Sequence, residues 1–161
     1  MSIAPEDVLP FINRALDGMV SIVETLGDAL VNQRPNLPGA NSPYIILAHC
    51  VGLTQHILGR VLGGRPGERD REAEFCAQGT VAEIRQAVRT LQEHIKEDIQ
   101  HVQGDAPPVY PWQPRQSYML GWRQGAILLQ CYTELAQHHG HMELTRDILL
   151  AQARVQEAAT T

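Results

Sequence analysis

The sequence predicts an all-α fold: a four-helix bundle in up-down-down-up order, with a long crossover between the second and third helices. Three observations carry this. Four segments repeat apolar residues at steps of three and four, and no segment shows the alternation of a half-buried strand. Capping and stop signals bracket those segments. The chain has 161 residues, 43% hydrophobic and 19% charged, enough for one bundle with a full core. It is therefore read as a single domain over 1–161.

In the first helix, Val8, Ile12, Ala15, Met19, Ile22, Val23, Leu26 and Leu30 form the apolar stripe, and Pro35, Pro38 and Gly39 end it. The second opens at Ser42-Pro43, an N-cap followed by proline at the first helical position, and runs through Leu62 to Gly63-Gly64. Residues 63–79 show no periodicity. Extended, they reach about 50 Å, more than the roughly 30 Å of a 20-residue helix, so the second and third helices can run parallel. The third begins with the capping box Thr80-Val81-Ala82-Glu83 and continues through Ile84, Val88, Leu91, Ile95, Ile99 and Val102. The linker Gly104–Pro114 is stiffened by prolines and carries Tyr110 and Trp112, expected to shape the mouth of a pocket. The fourth helix is expected from near Ser117 to about Ala153, with Leu120, Ile127, Cys131, Leu135, Met142 and Leu149 on its stripe.

Composition excludes some partners. A net charge of −5 gives no support to nucleic-acid binding. Met1-Ser2-Ile3-Ala4-Pro5-Glu6-Asp7 lacks the basic start and apolar core of a signal peptide, and no apolar run is expected to span a bilayer. Three cysteines (Cys50, Cys76 and Cys131) without framework spacing are expected as reduced thiols in a cytoplasmic protein, Cys50 and Cys131 as core packing.

The chemistry concentrates in Glu134-Leu135-Ala136-Gln137-His138-His139-Gly140-His141. Glu134 and His138 stack on one helix face at i, i+4 and can grip one ion. A metal site needs a third donor from another helix. His49 is the candidate, at the edge of an apolar face in the second helix; His56 falls about 10 Å further along. His141 is read as an orienting group, a proton relay or a fourth ligand, and His139 as surface. The bland alternatives stay open: a lone core histidine is usually hydrogen-bonded, and an i, i+4 Glu–His pair is a common solvated pair. Arg69-Asp70-Arg71-Glu72-Ala73-Glu74-Phe75 is read as a solvated charged segment, with Phe75 anchoring the crossover.

These residues resemble the DinB/YfiT-like superfamily of metal-binding four-helix bundles. The likeness rests on Asn41-Ser42-Pro43-Tyr44 with His49, on Gly63-Gly64-Arg65-Pro66 followed by 69–75, and on Glu134, His138, Gly140-His141, Glu143-Leu144 and Arg146-Asp147. It covers almost the whole chain. The resemblance implies a divalent metal, zinc or nickel, held by His49, Glu134 and His138, with His141 as the catalytic candidate. Glutamate at 134 looks more like the branch containing the mycothiol-dependent maleylpyruvate isomerase, whose additional C-terminal domain is not found in this sequence. That branch implies a low-molecular-weight-thiol S-transferase, with mycothiol or a relative as cosubstrate, an electrophile as second substrate, and a homodimer. The competing expectation is a non-catalytic metal-binding or stress-related interaction bundle.

Overall fold

A computed structural model describes residues 4–112 and 117–160. Gln113 and Pro114 of the linker, and Met1, Ser2 and Ile3 of the signal-peptide reading, lie outside the described residues. Five helices are present among the described residues, and no strand. They are α1 (Pro5–Leu30), α2 (Pro43–Leu62), α3 (Arg71–Cys76), α4 (Val81–Asp98) and α5 (Gln124–Thr160). The two cap predictions hold. Ser42 accepts a hydrogen bond from the Ile45 amide at 3.3 Å, and Thr80 and Glu83 cap each other reciprocally at the start of α4.

The predicted stripes become the core. Ile12, Leu16 and Met19 of α1, Leu47 and Leu58 of α2, Leu91 and Ile95 of α4, and Ile127 and Leu135 of α5 are fully buried. Phe11 meets Tyr132, and the His139 ring lies over Gly18, so α1 packs on α5. Gln92 donates to Asp17 at 2.8 Å and the Val81 amide to Asp28 at 2.7 Å, so α1 also packs on α4.

Four expectations are corrected. The crossover holds a short helix, α3, capped by Asp70, whose side chain accepts from the Ala73 amide at 2.9 Å. The fourth predicted helix begins at Gln124 rather than near Ser117, because residues 117–119 form a separate 3-10 turn and Gly121 takes a left-handed φ of 78°. Leu120 is consequently exposed. That helix also runs past Ala153 to Thr160, along an exposed polar tail of good helix formers. Lastly, α2 spans 20 residues and is apolar enough to cross a membrane by length and composition. Most of it is buried between the other helices, which is why it is apolar on nearly every side.

From Gln55 to Leu62, α2 is a π-helix. Such widened stretches are rare and recur beside functional sites. Here it lies one to two turns beyond His49.

Candidate metal centre

Three helices contribute to the site. His49 projects from α2 and is buried. His138 projects from α5, its ring centroid 5.1 Å from that of His49 at an interplanar angle of 79°. Glu134, one turn earlier on α5, places Oε2 3.9 Å from His138 Nε2, while its Oε1 accepts from Gln130 at 2.9 Å. The His141 ring lies 6.3 Å from that of His138 and is exposed. Each of the other three residues selected from the sequence thus neighbours His138. His138 and Glu134 are half-buried rather than core residues, with side chains 26% and 36% exposed, so keeping them costs less desolvation than a mid-stripe position suggested.

The third helix was not anticipated. α3 folds Glu74 inward until it is almost fully buried. Its Oε2 is 2.9 Å from His49 Nδ1. Arg69 closes the arrangement with a two-pronged ion pair to Glu74, Nε to Oε1 at 2.6 Å and Nη2 to Oε2 at 2.7 Å. The 69–75 segment is therefore not simply a solvated face. Phe75 does anchor it, ring to ring with His49 at 5.2 Å. A glutamate five residues after an arginine was the only sequence signal available, and it is weak. Gly52 of α2 completes the fit, since a Cβ there would collide with Glu74 Oε1.

The electrostatics follow from burial. Desolvation lowers the pKa of both His49 and His138, and the neighbouring Arg69 on one and His49 on the other push the same way. Burial alone would raise the Glu74 carboxyl, but the hydrogen bonds from Arg69 and His49 outweigh it and hold the group below the usual carboxylate range. Both imidazoles are thus favoured in the neutral form, which is the form that ligates metals.

The donor set can be tested against a divalent ion. Two imidazoles bonded to one ion through nitrogens at about 2.0–2.1 Å hold their ring centres roughly 5 Å apart, and the observed 5.1 Å fits. As placed, however, no three His, Cys, Asp or Glu side chains among the described residues converge tightly enough to enclose an ion. Glu134 Oε2, which faces His138, is the oxygen available to close the set, while Oε1 stays with Gln130.

Of two hollows in the described residues, one borders this region. The larger, about 610 Å³, is lined by Gly52, His56, Arg69, Glu74, Leu91 and Asp98 among others. It shares Glu74 and Arg69 with the His49 cluster but does not include Glu134 or His138, so the chemistry lies at its edge and not at its centre. Trp112 lines a separate hollow of about 320 Å³ with Trp122. Tyr110 is tied to Val61, about 18 Å along α2 from His49. The expectation that these aromatics shape the mouth of the histidine site is corrected. His139 is not a free surface group either, because its ring covers Gly18. Cys50 and Cys131 are buried and free, as expected, and Cys76 is exposed.

A family model of mycothiol S-transferases matches residues 7–150. The chain belongs to this family. Membership bears out the DinB/YfiT-like resemblance seen in the sequence. Searches of curated proteins and of solved structures return no match.

Proposed function

We propose that the protein is a divalent-metal-dependent S-transferase that joins a low-molecular-weight thiol of the mycothiol type to an electrophile. The observation that carries the reading is the approach of His49 and His138 to 5.1 Å from two different helices, with Glu134 beside them, in a chain of the mycothiol S-transferase family.

His49, Glu134 and His138 are the residues that would hold the ion. When bound, it supplies a lowered thiol pKa, so that a thiolate is available at neutral pH. The neutral imidazoles leave the carboxylate of Glu134 as the one anionic donor, and the cationic Arg69 stays neutralised by Glu74. The exposed His141 carries the thiol proton to solvent. In the transfer step the thiolate sulfur attacks an electrophilic carbon, the C–S bond forms, and the leaving group departs with its electron pair.

The fold reading belongs to the same proposal. A single domain in up-down-down-up order is supported by the contacts along α1. Asp17–Gln92 and Asp28–Val81 run in opposite chain directions, while Phe11–Tyr132 and Gly18–His139 run together. A cytoplasmic homodimer completes it, consistent with free thiols and with Phe11, Leu129 and Leu144 exposed.

The test is elemental analysis of purified protein together with thiol consumption. Wild-type protein retains a stoichiometric divalent ion and consumes mycothiol with a chromogenic aryl halide; His138→Ala does neither. The second reading, a non-catalytic bundle, is favoured by the open arrangement of the donors. Wild-type protein that consumes no thiol, with or without a bound ion, would select it.

A further inference from the structure

We propose that Glu74, seated against Gly52 and clamped by Arg69, is a positioning residue that fixes His49 in its Nδ1–H tautomer and so presents Nε2 to the site. The inference rests on the reading of His49 as a ligand given above, and it concerns residues that lie outside the ligand set.

Three observations support it. First, the carboxylate favours a proton on Nδ1. Glu74 Oε2 lies 2.9 Å from His49 Nδ1, and a carboxylate oxygen only accepts. An unprotonated Nδ1 would set a lone pair against an anion at hydrogen-bond distance, in a place where both side chains are about 90% buried. A protonated Nδ1 donates a charge-assisted hydrogen bond instead. Arg69 Nη2 is also 3.0 Å from Nδ1, but its charge-assisted bond to Glu74 Oε2 at 2.7 Å is the stronger, and a hydrogen given to Nδ1 would still leave that lone pair facing the carboxylate.

Second, the carboxylate cannot swing away. Arg69 engages both oxygens, and the side chain occupies the space that a Cβ at residue 52 would fill. Glycine at this helical position otherwise lowers helix stability relative to alanine. Its presence is accounted for by the close approach of Glu74.

Third, the partner comes from the crossover and not from the bundle. α3 spans six residues, too short to hold a helix alone. It is pinned by Asp70 at one end and by the Glu74–Arg69–His49 contacts within. The crossover thus does more than connect α2 to α4, since it sets which nitrogen of His49 is free. A carboxylate bonded to the far nitrogen of a ligating histidine fixes ring orientation and raises its basicity, and losing it typically weakens metal binding 10–100-fold.

The experiment uses the full chain with ¹⁵N-labelled histidine. Two-bond ¹⁵N–¹H spectra of metal-free protein report the tautomer of His49, and chelator competition reports zinc affinity. In wild type, His49 is expected as Nδ1–H. Glu74→Ala and Gly52→Ala should both move it toward Nε2–H and weaken zinc binding 10–100-fold. Glu74→Gln keeps an acceptor oxygen at the same reach and should keep the tautomer. Gly52→Ala retains the carboxylate and raises helix propensity, so its effect cannot come from a weakened α2. Nε2–H in wild type, or a tautomer unchanged in both Glu74→Ala and Gly52→Ala, overturns the proposal. Zinc affinity within threefold of wild type in both variants overturns it as well. Failure of wild type to bind any metal would instead sink the S-transferase reading, while the metal-free spectra would still decide the role of Glu74.

Discussion

Asp98 ends α4 almost fully buried, and Arg65, from the stretch just after α2, pairs with it through Nε while its Nη2 reaches Glu97 at 2.7 Å. Replacing Arg65 with methionine leaves a carboxylate inside the fold without its counter-charge. At about 3 Å and an effective dielectric near 20, the lost attraction is roughly 5–6 kcal/mol. The Arg65 side chain is 37% exposed, and solvent screening reduces that figure to about 2–3 kcal/mol. Asp98→Asn removes the charge but keeps the shape, and should cost about 1–2 kcal/mol. The double variant should be no worse than Arg65→Met alone, which gives a coupling of about 1–2 kcal/mol. Urea unfolding followed by circular dichroism measures all four corners of the cycle. The accompanying loss in Tm for Arg65→Met is about 4–12 °C for a chain of this size. If the two single variants add to within about 0.5 kcal/mol in the double, the pair is uncoupled and the reasoning fails.

Further outcomes follow from the core and the site. Leu135 is fully buried on α5, next to Glu134, and Leu135→Ala should destabilise the fold by about 2–5 kcal/mol in the same assay. Burial pushes the Cys131 thiol up to about 12 and the Cys50 thiol higher still, so at pH 8 only the exposed Cys76 should react with iodoacetamide in native protein. Mass spectrometry should show one adduct before unfolding and three after. Because the folded value at Cys131 is raised, its contribution to stability is intact below about 8.5, the ordinary thiol value, and declines as pH rises above it. Zinc at about 100 times its dissociation constant should stabilise wild-type protein by about 2.7 kcal/mol. Thermal melts with and without chelator should show that difference, and His138→Ala should abolish it.

What was legible in the sequence follows the physics of each element. α1, α2 and α4 bury long stripes against several neighbours, so their periodicity and caps survive in the residue order. The approach of His138 to His49 was legible because Glu134 and His138 share one helix face, leaving a single cross-helix contact to be inferred. α3 was not legible. It has six residues and no stripe, and its key residue is a glutamate that reads as solvated unless its arginine and histidine partners are seen in space. The start of α5 was hidden for a related reason. Leu120 continues the apolar rhythm by chance, but the chain turns at Gly121 before the helix begins. Its far end carries no stripe because residues 154–159 touch little of the core.

The widened coil of Gln55–Leu62 bears on how the chain tolerates changes in length. Its amides reach back five residues instead of four, so it stores slack that a regular coil does not have. Removing a residue elsewhere in α2 would rotate everything downstream by about 100° and turn the buried face outward. Within 55–62 the same deletion can be absorbed by tightening to ordinary coil geometry. His49 upstream and the Val61–Tyr110 junction near the end of the stretch would then keep their bearings. Length variation among relatives in this helix should therefore gather in those eight positions.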